Sequence, residues 1–149
     1  MNFIKIFVPL SLVFMLGYQN YVASDNHNEV NESNKKADYV KILLQIKATT
    51  KQIELSKKDL LTANDLGVTI QIVKQIYKKV EYLKELLEDR QESSTSNNSS
   101  IKKALDSANA LTKETEKILK QLQKSNTAST DKIEIKTNSL IKSVNAMFQ

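Results

Sequence analysis

Cysteine and tryptophan are absent from this sequence, and proline and glycine together supply only Pro9, Gly17 and Gly67. Without cysteine there can be no disulfide, no thiol nucleophile and no structural zinc site of the usual kind. A phosphate-cradling loop needs clustered glycines, and beyond residue 24 only Gly67 remains. Histidine is reduced to His27, set among asparagines in an aperiodic stretch, where no general base or metal ligand would be held rigidly. No catalytic, cofactor-binding or metal-ligating residue emerges from this inventory. The expectation is a protein that is not an enzyme and carries no cofactor.

Long apolar runs are also scarce. Ile6 to Gly17 is almost wholly apolar, but its roughly 12 residues fall short of the roughly 20 that a bilayer crossing requires, so no transmembrane anchor is expected. Lys5 precedes the run and the polar stretch Tyr18 to Ser24 follows it, which is the three-part layout of a secretory signal peptide. Val22 and Ser24 place the cleavage between Ser24 and Asp25, and a bacterial lipid anchor would need a cysteine there. Residues 1–24 are therefore read as a signal peptide, and the mature chain as secreted and extracellular.

What remains, Asp25 to Gln149, is enough for one modest domain held by apolar burial alone. Its net charge is mildly positive, with lysines spread over every segment among 17 acidic residues. That pattern fits a solvated helical surface better than a nucleic-acid-binding stripe with stacking aromatics, and no nucleic-acid partner is expected. Lysine pairs recur at Lys35-Lys36, Lys57-Lys58, Lys78-Lys79 and Lys102-Lys103, but their neighbours do not match, so a sequence repeat is not inferred.

Residues 25–35 hold one apolar residue in the ten from Asp25 to Asn34 and read as a disordered leader. From residue 36 to 149 the chain reads as one helical domain. The first periodic segment, about 36–63, carries Tyr39, Leu43, Ile46, Ile53 and Leu60, with Val40, Ile42, Leu44, Leu55 and Leu61 widening the stripe. Its middle, Lys47 to Gln52, is polar apart from Ala48, which leaves either exposure or a polar layer in the core. Asn64-Asp65-Leu66-Gly67 predicts a tight turn, with glycine supplying a left-handed conformation and Asn or Asp a new cap.

The second segment, about 68–92, has the cleanest period, with Thr69, Val73, Ile76, Val80, Leu83 and Leu87. Ile70, Ile72 and Leu86 broaden it past a two-stranded coiled-coil seam. The polar run 93–100 is an exposed loop, with Ser99 or Ser100 placed to cap a third helix over about 101–124. That helix carries Ile101, Leu105, Ala108, Leu111, Ile118 and Leu122, Thr115 keeps its phase, and Ala104, Ala108 and Ala110 would admit a close neighbour. Thr130 is the expected cap of a last helix over about 131–148, bearing Ile133, Thr137, Leu140, Val144 and Met147. The fold class predicted is all-α: an antiparallel bundle of three long helices plus a shorter C-terminal one.

Glu81, Glu85, Glu88 and Asp89 gather on one helix, yet the Glu-x-x-His pairs of carboxylate metal bundles are missing. Lys78 before Glu81 and Lys84 before Glu88 favour a salt-bridged outer face. Asn31, Asn97 and Asn98 stand in N-glycosylation patterns, all within segments read as exposed. Tyr77, Tyr82, Leu55 and Ile135 fall off the main stripes and are the candidates for a protein-binding surface, although widening the core would also explain them. The leading expectation is binding of a protein partner through a helix face, or a face shared by two copies. The alternatives are a carrier for a small apolar ligand between helices, and attachment through the lysine pairs to anionic glycans or membrane surfaces.

The leader Met1-Asn2-Phe3-Ile4-Lys5 and the short helical body rich in lysine and asparagine resemble the small secreted salivary proteins of mosquitoes. The resemblance is one of general character and transfers no site residue. It implies a protein delivered into a vertebrate host that blocks a receptor, an immune or a haemostatic component by stoichiometric binding, as a monomer or a homodimer.

Overall fold

The computed structural model describes residues 27–94 and 98–149. The expected signal peptide, its cleavage point and the first two leader residues lie outside them. Four α-helices occur among the described residues: α1 (His27–Thr62), α2 (Leu66–Glu92), α3 (Ser99–Ser125) and α4 (Asp131–Asn145), the last continued by a 3-10 turn over Ala146–Phe148. Each helix packs on the next, and α4 returns to α1. The chain thus closes an antiparallel ring in which α1 and α3 share one diagonal and α2 and α4 the other, the all-α bundle that the apolar period predicts.

The core is the sum of the buried stripes. Ile46 and Ile53 from α1, Val73, Ile76, Val80, Leu83 and Leu87 from α2, Ile101, Leu111 and Ile118 from α3, and Ile133 and Leu140 from α4 are all essentially inaccessible to solvent. Each such side chain contributes about 1.5–3 kcal/mol by leaving water. Ile72 and Leu86 are buried as well, because α2 has a neighbour on each side. Ala104 and Ala108 are buried on α3, where their small size admits the packed helix beside them.

The polar middle of α1 puts a threonine layer into the core and leaves its other residues exposed. Thr49 and Thr50 are buried while Lys47, Ala48, Lys51 and Gln52 are exposed. The Thr50 hydroxyl donates to the Ile46 carbonyl at 2.8 Å, which removes the penalty of burying it. Thr115 on α3 does the same toward the Leu111 and Thr112 carbonyls. Side-chain bonds from Gln45 to Tyr82 and from Tyr77 to Glu116 fix the register of α1, α2 and α3, and they bring these threonines to one height.

Helix ends follow local chemistry and correct several expectations. Asp65, in extended conformation, accepts the Val68 N–H at 2.9 Å and starts α2. Gly67 has no positive φ and lies inside the first turn of α2, and a Cβ placed there would come within 3.1 Å of the Asp65 carboxylate. Its use is room for the cap, not a left-handed turn. Asn98, rather than Ser99 or Ser100, caps α3 by accepting the Ser100 N–H at 3.1 Å. Asn126, at φ 55°, is the left-handed residue that ends α3. Thr130 occupies the cap position of α4 without a side-chain cap bond; the Ser129 hydroxyl accepts the Asp131 N–H instead.

The stretch expected to be a disordered leader, 25–35, is helical from His27 onward. No glycine or proline interrupts it, and extending a helix already nucleated by its buried part costs far less than starting one. Residues 33–38 are solvent-exposed. Tyr39 meets Arg90, which stands two residues before α2 ends, so the start of α1 runs past the end of α2.

Candidate interaction surface

α1 has two faces of opposite character in position but not in chemistry. One carries Ile46, Thr49, Ile53, Ser56 and Leu60 into the core. The other carries Ala37, Val40, Leu44, Ala48 and Leu55, all solvent-exposed, with Val40 at 49%, Leu44 at 63% and Leu55 at 48% of full exposure. At about 100° per residue these five form a line roughly opposite Ile46 and Ile53. In a closed ring of four, α1 touches α2 and α4 on adjacent flanks and, among the described residues, has no neighbour behind it. Val40, Leu44, Leu55 and Leu61 therefore do not widen the buried stripe as expected, whereas half-buried Ile42 does pack against the core.

The outer line repeats every eleven residues: Ala37 returns as Ala48 and Leu44 as Leu55, with Lys51 where Val40 would recur. An eleven-residue period matches an almost straight helix, so the line stays on one side along its length. Exposed Lys41, Lys47, Lys51 and Lys58 accompany it. Lys51 reaches the Glu54 carboxylate at 2.8 Å and Lys58 reaches it at 3.8 Å. The Lys51 hydrogen bond is the main reason the Glu54 carboxyl is held below its ordinary value.

The four candidate binding residues do not converge. Leu55 belongs to the outer line of α1, and exposed Tyr82 borders it from α2, its hydroxyl accepting from Gln45 at 3.4 Å. Tyr77 faces the other way. It is half-buried against α3, and its hydroxyl donates to Glu116 at 3.3 Å. Loss of hydration and the nearby Glu81 and Glu116 carboxylates raise its phenol above the ordinary value. Ile135 is 64% exposed on the outside of α4. Val40, Leu44, Ala37 and Ala48 were not among the binding candidates read from sequence, although the eleven-residue recurrence was the signal for them.

The carboxylate group of α2 is tied into the scaffold through different partners from those expected. Glu81 takes hydrogen bonds from Lys84 and from Thr112 of α3, both at 3.0 Å, and neither Lys78 with Glu81 nor Lys84 with Glu88 forms an ion pair. The Lys84 bond chiefly holds the Glu81 carboxyl below its ordinary value; burial opposes it, and the Thr112 bond and the Lys84 charge add smaller lowering effects. Of the glycosylation candidates, Asn31 lies within α1 rather than in a loop, Asn97 lies outside the described residues, and Asn98 is half-buried with its side-chain oxygen used as the α3 cap.

One end of the bundle is closed by a buried cation. Arg90 is only 8% exposed, donates to the Tyr39 hydroxyl at 2.7 Å and stacks its guanidinium 4.0 Å from the centre of the Tyr39 ring. Its Nε and Nη1 groups are buried without a hydrogen-bond partner. The carbonyl end of α2, where Arg90 sits, favours positive charge. Among the described residues no helix is long and apolar enough to cross a membrane. No protein-family model, no curated protein and no solved structure matches the chain.

Proposed function

We propose that the protein is a secreted, non-catalytic effector that binds an extracellular protein of its host, such as a receptor or an immune or haemostatic component, and blocks it through the outer face of α1. The observation that carries this reading is the line Val40, Leu44 and Leu55, three large apolar side chains held in water on a rigid helix that does not need them for its core. Covering such a line gains about 25 cal/mol per Å² of apolar surface, and a rigid helix presents it with little ordering cost. Ala37 and Ala48 within the line let a partner backbone approach closely. The accompanying lysines call for carboxylates at the rim of the partner's apolar strip. This is helix-face recognition of the kind in which anchors recur every three or four residues.

The test is capture by the mature chain, immobilised at micromolar concentration, from a panel of extracellular receptors, immune and haemostatic proteins. Leu44→Asp and Leu55→Asp each weaken capture by about tenfold or more, corresponding to about 1.4 kcal/mol, while Ile135→Asp leaves it unchanged. Capture of nothing, or capture indifferent to Leu44→Asp, removes the reading. Sedimentation of the free protein decides whether the same line also joins two copies, since Leu44→Asp would then split the dimer. Carriage of a small apolar ligand is the weaker reading, because the depressions along α3 and its turn into α4 are lined mostly by charged and polar side chains.

A further inference from the structure

The back of α3 carries a surface of another kind. Lys113, Lys117, Lys120 and Lys124 recur at steps of four, three and four residues, opposite the buried Leu111, Thr115, Ile118 and Leu122, and all four lysines are exposed. Together with Glu116 and Gln121 they line a shallow depression of about 400 Å³. Lys117 and Gln121 also line a second depression of about 340 Å³ that reaches Lys132 across the α3–α4 turn. The two are thus continuous, a groove carrying five ammonium groups. Its lysines are not the paired ones noted in the sequence.

No ion pair among the described residues ties up these lysines. The ion pairs within 4.0 Å among the described residues join Lys51 and Lys58 to Glu54 and Lys84 to Glu81, and none involves the five lysines of the groove. Two carboxylates share the groove, Glu114 in the smaller depression and Glu116, which accepts the Tyr77 hydroxyl, in the larger, so the five ammonium groups outnumber them. A surplus of ammonium groups along about 16 Å of straight helix attracts a polyanion of extended shape.

We propose that this groove binds a linear sulfated polysaccharide. Lysine is a strongly hydrated point charge on a flexible stem, suited to sulfates and carboxylates strung along a chain, and the Gln121 amide offers a donor and an acceptor to sugar hydroxyls. The lysine stripe has no aromatic side chain on which a base of single-stranded nucleic acid would stack. It also has no large apolar side chain to enter a lipid interface. Charge without stacking and without insertion selects the glycan among polyanions. The inference stands apart from the α1 reading, because a different helix carries it.

Calorimetry of the mature protein with a size-defined heparin oligosaccharide, repeated over a salt series, tests it. Affinity falls with salt as counterions are released, by about 0.7 in logarithmic slope per ammonium contact if the glycan behaves like a single-stranded polyanion. Replacing Lys113, Lys117, Lys120 and Lys124 by Gln lowers affinity more than about tenfold and flattens that slope by about 3, and replacing the same four by Arg preserves both. A control carrying Gln at Lys35, Lys36, Lys78 and Lys142, with equal charge removed, binds as the parent does. Circular dichroism confirms that each variant keeps its helices. The proposal is overturned if the parent fails to bind heparin, if the control loses as much as the groove variant, or if phosphatidylserine vesicles or duplex DNA bind more tightly in the same salt.

Discussion

α1 and α3 stand on one diagonal of the bundle and bury one apolar line each, but their backs differ. The back of α3 is lysine with polar neighbours, as expected of a helix whose apolar residues are all used by its two flanking helices. The back of α1 repeats apolar residues at nearly the spacing of its front. Folding accounts for every large apolar side chain of the first kind of helix and leaves Val40, Leu44 and Leu55 of the second unaccounted for. An exposed apolar line that the packing of the described residues leaves unused is the feature on which the proposed partner surface rests.

The largest effects should separate fronts from backs. Ile53→Ala on α1 and Leu111→Ala on α3 each remove a fully buried side chain and should cost about 2–5 kcal/mol in urea unfolding. Leu44→Ala and Lys117→Gln, on the two backs, should each stay within about 0.5 kcal/mol. A cost near that of Ile53→Ala for Leu44→Ala would place the outer line in the fold and end its candidacy as a binding face.

A medium effect sharpens the contrast between what α1 and α3 offer α2. Tyr39→Phe keeps the ring over Arg90 but removes the acceptor of its Nη2 group, leaving a buried cation with less compensation. A loss of about 1.5–3 kcal/mol follows, against under about 0.5 kcal/mol for Tyr77→Phe, whose hydroxyl bonds Glu116 at the surface. Equal thermal shifts for the two variants would refute the special standing of the Arg90 end.

The smallest effect depends on pH. The folded Glu81 carboxyl titrates below its unfolded value, so its stabilising contribution is complete above the unfolded value and is lost as pH falls through the folded one. Urea midpoints should therefore decline toward acid with a slope that Lys84→Met combined with Thr112→Val reduces. An unchanged slope would show that the tie between α2 and α3 at Glu81 does not contribute.

The helices themselves were legible in the sequence, to within about two residues for α2 and α3, because each carries a single stripe whose phase is unambiguous. Thr115 and Thr137 were readable as core positions from phase alone, although their hydroxyls obscure them in composition. α1 was harder. Its two stripes lie half a turn apart, so a period of three and four residues fits both, and Val40, Leu44 and Leu55 merge with Leu43 and Ile46 into one broad band. Only the ring closure, which gives α1 two neighbours among the described residues, tells front from back. The binding candidates suffered in the same way: Tyr77 and Tyr82 look alike five residues apart, yet one faces α3 and the other borders α1. Caps depended on side-chain geometry that neighbouring Asn and Ser residues disguise, as at Asn98.

The shortest helix is also the one that completes the ring. α4 has 15 residues against the 36 of α1, and across their seam Lys57 bonds Asn138 while Lys47 sits over the Phe148 ring. Whatever releases the C-terminal segment, one stave of the barrel, therefore opens both of its seams, with α3 and with α1, while the other three members stay joined pairwise. Amide protons of this last stave should exchange with solvent ahead of those in α2, making the molecule a trio with a detachable fourth rather than a quartet of equals.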